Sequence, residues 1–287
     1  MPEVSQQAST DENVMHCMEV CGGHGTVDRR LQRPGVDVWI CSESHQDVRA
    51  GGGDLHFVSS CASGRITRVL LAEVCGFGAL FQQVAGQLRD LIRANVNSIT
   101  HVRAVRQLNK QLAAASLEGG FASTLITTYF APTRSLSVCN AGHPPPAIYR
   151  KQSDSWSLLK GLPDDSVAPT DPGLLELREY QQHKTTLEPG DWLVAYSNAL
   201  TEARDPAGHT IGVDGVLERL RQLGFANSPS LPRDLLNSIR RARSGNLEQS
   251  DATVLAFQAT ERATTWRDAL LAPFRLLGPV NDRTQIH

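Results

Sequence analysis

Strand-like sequence on either side of one pair of helical patterns is the feature that most limits what this chain can fold into. The run at 36–42 (VDVWICS) alternates and is rich in β-branched and aromatic residues; polar residues and three glycines break it before position 54. Asp54 opens a second run, LHFVSSC, a polar turn follows at 62–64, and RITRVLLAEV reads as the returning strand of a hairpin. Over 79–96, Leu80, Val84, Leu88, Leu91 and Ile92 recur at helical spacing, and a second helical pattern covers 101–115. After Gly119 and Gly120 the strand pattern resumes in ASTLITTYFA, SLSVCNA and AIYR, an antiparallel meander by its turns. Further strands are expected at 155–159, 183–187, 191–196 and 252–257, and helices at 213–223 and 231–243. This order predicts an α/β (α+β) layered sandwich with antiparallel sheet rather than βαβ winding.

The composition narrows the function classes. With 28 Lys+Arg against 30 Asp+Glu there is no basic excess to hold a phosphate backbone, so a nucleic-acid partner is excluded in favour of a protein or small ligand. No stretch approaches the roughly 20 apolar residues that span a bilayer, and the N-terminus has neither a basic start nor an apolar run, which reads as cytoplasmic. Residues 1–13 fit a disordered leader, 14–262 the domain, and 263–287 an amphipathic helix and tail. In that last segment Trp266, Leu270, Leu271, Phe274 and Leu277 share a helical face interrupted by Pro273. Such a face packs on its own domain or, alternatively, docks on a partner or membrane surface. The six cysteines form no C-x-x-C pair; Cys17 and Cys21, with His16 and His24 nearby, match no common metal spacing and read as reduced thiols.

Five short motifs follow one another in a specific order. Gly52-Gly53-Asp54 begins a strand, Glu73-Val74-Cys75-Gly76-Phe77-Gly78 ends a hairpin, and Asn140-Ala141-Gly142-His143-Pro144-Pro145 follows a strand. Pro189-Gly190-Asp191 then leads into Tyr196-Ser197-Asn198-Ala199-Leu200-Thr201-Glu202-Ala203, and Ser250-Asp251-Ala252-Thr253 precedes the last strand of the run. Over residues 36–258 this series resembles the SpoIIE/RsbU branch of the PPM-type protein phosphatases, with G-G-D, G-D-V-x-G-H-G, N-A-G-H-P-P, Y-T/S-D-G-x-x-E-A and D-D-x-T as the corresponding patterns. The resemblance implies two antiparallel sheets flanked by helices. It also implies a cleft where Mn²⁺ or Mg²⁺ activates a water against phosphoserine or phosphothreonine.

Carried over residue by residue, the resemblance makes Asp54 a metal ligand, puts Glu73 where the family has its bridging Asp, and gives Val74 a ligating backbone carbonyl. Asn198 and Ser250 stand at two positions that are Asp in the family, and Asp251 holds the second position of the last motif. Gly53, Gly76 and Gly78 would shape the binding loop, where Phe77 replaces a His. One ligand carboxylate is thus unchanged, one is longer by a methylene and two are neutral. That charge loss favours one ion rather than two, or none. Two readings follow: a phosphoprotein phosphatase of bacterial signalling with weak or no turnover, or a pseudophosphatase that binds a phosphoprotein or regulator such as an anti-sigma-factor antagonist. The residues also have plainer readings. His143 between Gly and prolines reads as a turn residue with a satisfied imidazole, Glu202 as a solvated or loop-anchoring carboxylate, and Asp191 as a turn residue.

Overall fold

The computed structural model describes residues 15, 18–45, 52–61, 64–75, 79–94, 96, 121–159, 182–224, 229–263 and 280–285. The expected leader, the helix at 101–115, the terminal helix around Trp266, the loop residues Gly76, Phe77 and Gly78, and the His16–Cys17 pair lie outside them.

Thirteen strands are described: β1 (Glu19–Gly23), β2 (Val27–Arg33), β3 (Val36–Glu43), β4 (Gly52–Cys61), β5 (Ile66–Cys75), β6 (Phe121–Phe130), β7 (Ser135–Ala141), β8 (Ala147–Arg150), β9 (Ser155–Leu158), β10 (Gln182–Thr186), β11 (Trp192–Tyr196), β12 (Ala252–Ala259) and β13 (Asn281–Gln285). Four α-helices accompany them: α1 (Ala79–Ala94), α2 (Asn198–Glu202), α3 (Gly212–Gln222) and α4 (Leu231–Ala242). One sheet has the order β10-β7-β6-β5-β4-β1-β13 and the other β2-β3-β12-β11-β8-β9. All the pairings are antiparallel except β1 with β13, which run parallel.

Three apolar groups set the layers. Val58, Val69, Leu71, Leu125 and Val138 of the first sheet meet Val38, Ile40, Ile148, Leu193, Leu255 and Phe257 of the second. The alternate residues Leu55, Phe57, Leu70, Ala72 and Val74 face outward onto Phe81, Val84, Leu88 and Ile92 of α1. Trp39, Trp192, Val194 and Val254 do the same for the second sheet, against Leu217 and Leu220 of α3 and Leu235, Leu236 and Ile239 of α4. The order is therefore helix, sheet, sheet, helices. The nearly unbroken apolar run of β5 follows, because both its faces are covered and period-two alternation has no polar face to mark. Among the described residues no helix is long and apolar enough to cross a membrane.

Three strands and a helix go beyond the sequence reading. β1 carries two glycines at φ 136° and 138°, and a side chain at Gly22 would collide with the His56 carbonyl of β4. Glycine is there for close backbone approach, at the cost of a strand-like composition. β2 (VDRRLQR) and β13 (NDRTQ) are edge strands, and their polarity suits an edge while hiding the strand signal. α2 is a single short turn.

Because β13 covers the edge of β1 over five residue pairs, a chain ended at residue 279 leaves β1 as the sheet edge. The expected outcome is a loss of about 2–4 kcal/mol in urea unfolding, at roughly 0.5–1.5 kcal/mol net per hydrogen bond less the ordering entropy. Unchanged unfolding would mean that β13 contributes nothing.

Candidate functional site

At one end of the sandwich several inward columns change from apolar to polar. Two residues beyond an inward apolar residue, the columns continue as Glu73 after Leu71, Ser123 before Leu125, Asn140 after Val138, Ser42 after Ile40, Ser197 after Ala195 and Thr253 before Leu255. Asp54 ends the β4 column beyond His56. Ser42, Asp54, Ser123, Asn140, Ser197 and Thr253 are all buried. The polar end is tied across the sheets: the Ser42 and Thr253 hydroxyls are 2.8 Å apart, and the Thr253 N–H donates to Ser197 Oγ at 2.9 Å.

Asp54 and Glu73 are directly paired across the β4–β5 ladder, so two carboxylates share one face of one sheet. Asp54 is 4% exposed, and its Oδ2 has no hydrogen-bond partner among the described residues. Burial pushes its proton affinity up; the Thr253 and Ser197 hydroxyls favour the charged form, and the Asp251 charge opposes it. Burial likewise raises Glu73, reinforced by the Asp54 charge and opposed by the Asn198 N–H. Among the described residues no guanidinium or ammonium is one of the groups acting on either acid.

Glu73 reaches out of its sheet. Its Oε1 accepts the Asn198 N–H at 2.7 Å, joining β5 to the start of α2, and lies 3.3 Å from His143 Nδ1. The Asn198 backbone is thus at the acid pair. Asp251 sits at the same end and holds the loop after β3 to the start of β4: Oδ1 accepts the His45 N–H at 2.7 Å and the Ser44 hydroxyl at 3.2 Å, and Oδ2 accepts the Asp54 N–H at 3.1 Å. Gly53 makes room for it, since a Cβ there would lie 2.9 Å from Asp251 Oδ2 and 3.3 Å from the Phe81 ring. Ser250 is exposed at the mouth.

His143 occupies the expected turn. The Asn140 side chain closes that turn by accepting the His143 N–H at 2.8 Å and donating to its carbonyl at 2.6 Å. Its imidazole departs from expectation: neither ring nitrogen has a hydrogen-bond partner among the described residues, and burial pushes its pKa down to about 3. A neutral ring therefore faces Glu73. Glu202 is exposed, as expected of a solvated carboxylate. Asp191 is buried and anchors its loop, accepting from Arg150 Nη1 at 2.8 Å and from the Lys151 and Glu188 N–H groups. The sequence reading gave no role to Ser42, Ser123, Ser197 or Thr253, although the period-two continuation of each apolar column marks them.

Residues 63–260 match the family profile of stage II sporulation protein E (SpoIIE), more than half of the chain. The chain belongs to the SpoIIE family. Solved structures agree on the fold. The RsbU and RsbW domains of a Mycobacterium tuberculosis protein are 20% identical, with 83% of this chain and 64% of that one covered and a TM-score of 0.62. The PP2C phosphatase domain with a regulatory fragment of SpoIIE from Bacillus subtilis is 17% identical, with 79% and 65% covered and a TM-score of 0.58. RsbX in complex with magnesium is 14% identical, with 82% and 100% covered and a TM-score of 0.56. This chain therefore spans just under two thirds of the length of the first two of these structures. No curated protein sequence matches it.

For a SpoIIE-family domain this cleft is poor in charge. Among the described residues no three His, Cys, Asp or Glu side chains gather into a group that could hold a metal ion. The Asp251 carboxylate already accepts three hydrogen bonds, and Asn198 and Ser250 bring no charge. The opposed Asp54 and Glu73 carboxylates, with the orphaned Asp54 Oδ2, are hard oxygen donors of the kind a divalent cation takes.

The raised acids give stability a definite pH dependence. Their folded forms keep protons that the unfolded chain releases in the ordinary carboxylate range, so this contribution falls as pH rises from about 4 and levels off above the folded values. His56 and His143, both lowered by burial, act in the opposite sense, so the reading is a difference against Asp54→Asn. In chelator, Asp54→Asn is expected to gain on the wild type by about 1 kcal/mol or more at a pH of about 8, and by little at about 4. Urea unfolding across that range checks it; a pH-independent difference would contradict the account.

Proposed function

We propose that this chain is a serine/threonine phosphoprotein phosphatase domain by descent whose turnover is weak or absent. The observation that carries this reading is the pair of neutral residues, Asn198 and Ser250, by a buried acid pair that no cationic side chain offsets among the described residues. Asp54, Glu73 and the Val74 carbonyl would hold one Mn²⁺ or Mg²⁺, with Asp251 completing the set. When bound, the ion would neutralise the carboxylates and lower the pKa of a coordinated water. This chain's own contribution is positional. Asp251 and Gly53 fix the approach of β4, and Glu73, a methylene longer than the family's Asp, accepts the Asn198 N–H where a shorter acid would point into the cleft.

That last contact also favours a second reading, a binding module without hydrolysis, because it commits one Glu73 oxygen to joining the two halves of the cleft. In either case the partner in this proposal is a phosphorylated protein of a bacterial signalling system, such as an anti-sigma-factor antagonist, met in the cytoplasm.

Calorimetric titration with Mn²⁺ and turnover of a phosphoserine peptide test the proposal on the wild type, Asn198→Asp, Ser250→Asp, the double variant and the triple variant adding Glu73→Asp. The wild type is expected to show one site at most. The double variant should exceed the sum of the single effects by about 0.5–3 kcal/mol, as for residues sharing a partner. Turnover is expected chiefly in the triple variant, where the bridging oxygen is returned to place. Two tight sites in the wild type, wild-type turnover equal to the triple variant's, or singles and a double that bind no better than wild type would each defeat the reading.

A further inference from the structure

A second cleft opens beside the acid pair, on the side of Ser250. Its volume is about 490 Å³, within the roughly 300–1,000 Å³ of small-ligand sites. One wall is α2, through Glu202; another is the segment after it, through Arg204; the third is the turn after α4, through Arg243, Ser244, Gln249 and Ser250.

Its lining carries a net positive charge. Arg30 and Arg262 sit against Asp37, and Arg150 against Asp191. Arg204 and Arg243 form no ion pair among the described residues; Arg204 Nη1 donates only to the Gly208 carbonyl, at 2.8 Å. The cleft thus holds two guanidiniums and one carboxylate, with Ser244, Ser250 and Gln249 as neutral donors.

The walls are fixed by Asn246, which is 6% exposed. Its Oδ1 accepts the Arg204 N–H at 2.9 Å, and its Nδ2 donates to the Arg204 carbonyl at 2.9 Å and the Ile239 carbonyl at 3.0 Å. This clamp holds the backbone of Arg204 and needs nothing from its side chain. The guanidinium is therefore presented from a rigid wall, which lowers the ordering entropy of binding an anion.

Two unpaired guanidinium forks and hydroxyl donors suit a phosphate monoester, which carries about −1.5 to −2 charge and accepts bidentate bonds. Resting on the phosphoprotein reading above, we infer that the cleft between α2 and the 243–250 turn binds the phosphate of a phosphoserine-bearing protein segment through Arg204 and Arg243. The phosphorylated segment would point toward the acid pair, since Ser250 directly precedes Asp251, whose Oδ2 accepts the Asp54 N–H.

The test uses the full chain and N-acetyl-O-phosphoserine N-methylamide as probe, with the unphosphorylated analogue and inorganic phosphate beside it. Binding is followed by backbone amide shifts. The expected result is saturable binding of the phosphorylated probe with shifts over 199–210 and 243–250, none for the unphosphorylated one, and weaker binding of inorganic phosphate. Arg204→Gln with Arg243→Gln is expected to weaken the phosphorylated probe about tenfold or more, at an unchanged melting temperature. Equal affinity in that variant, shifts confined elsewhere, or inorganic phosphate binding as tightly as the probe would overturn the inference. A small aryl phosphate separates it from the family reading. Hydrolysis by the charge-restored triple variant, with probe binding indifferent to the arginines, sinks this inference alone. Arginine-dependent binding without any hydrolysis supports it and counts against the phosphatase reading.

Discussion

Asp54 and Glu73 face each other across one rung of the β4–β5 ladder, inside the end of a sandwich whose interior is otherwise apolar. Like charges directly opposed across a ladder destabilise it, and burial enlarges that cost. Much of the local structure answers this repulsion. The Asn198 N–H points at Glu73, the hydroxyls of Ser197 and Thr253 face Asp54, and hydroxyls line the ends of neighbouring columns. Among the described residues the site has no positive charge of its own. A proton on the pair, or one hard cation, supplies it.

The rest of the cleft follows from the same geometry. Asp251 faces backbone donors of β4 and of the loop after β3, so its carboxylate acts as a clamp on the strand that carries Asp54. Gly53 permits that approach. Asn198 meets Glu73 through its backbone N–H, and Ser250, next to Asp251, lines the arginine cleft. Charge is therefore divided: negative inside, where two acids meet, and positive at the neighbouring cleft, where two guanidiniums outnumber the Glu202 carboxylate and form no ion pair among the described residues.

The strongly periodic elements were legible in the sequence. The run at β3, the hairpin of β4 and β5, the meander of β6 to β8, and the helical spacings of α1, α3 and α4 are all marked by apolar residues, on one face or on both. β1, β2 and β13 were not, because glycines chosen for close approach and polar edge residues carry no strand signal by themselves. Motif order brought Asp54, Glu73, Asn198 and Asp251 to one end of the sandwich. It did not reveal that Glu73 bonds Asn198 through the backbone, or that the buried His143 imidazole lies 3.3 Å from Glu73 with no hydrogen-bond partner among the described residues, since both depend on the spacing between the two sheets. The arginine cleft was invisible for a similar reason: Arg204 and Arg243 lie far apart in sequence and meet only through the Asn246 clamp.

The central claim is that Asp54 and Glu73 form one buried acid pair awaiting positive charge. Carboxyl ¹³C NMR titration of the two residues, with chelator and again with Mg²⁺, reads this directly. The account predicts that in chelator at least one of the pair keeps its proton well above the ordinary carboxylate value of about 4, and that Mg²⁺ moves that titration to lower pH. Independent titration of both residues near about 4, unaffected by Mg²⁺, would contradict it.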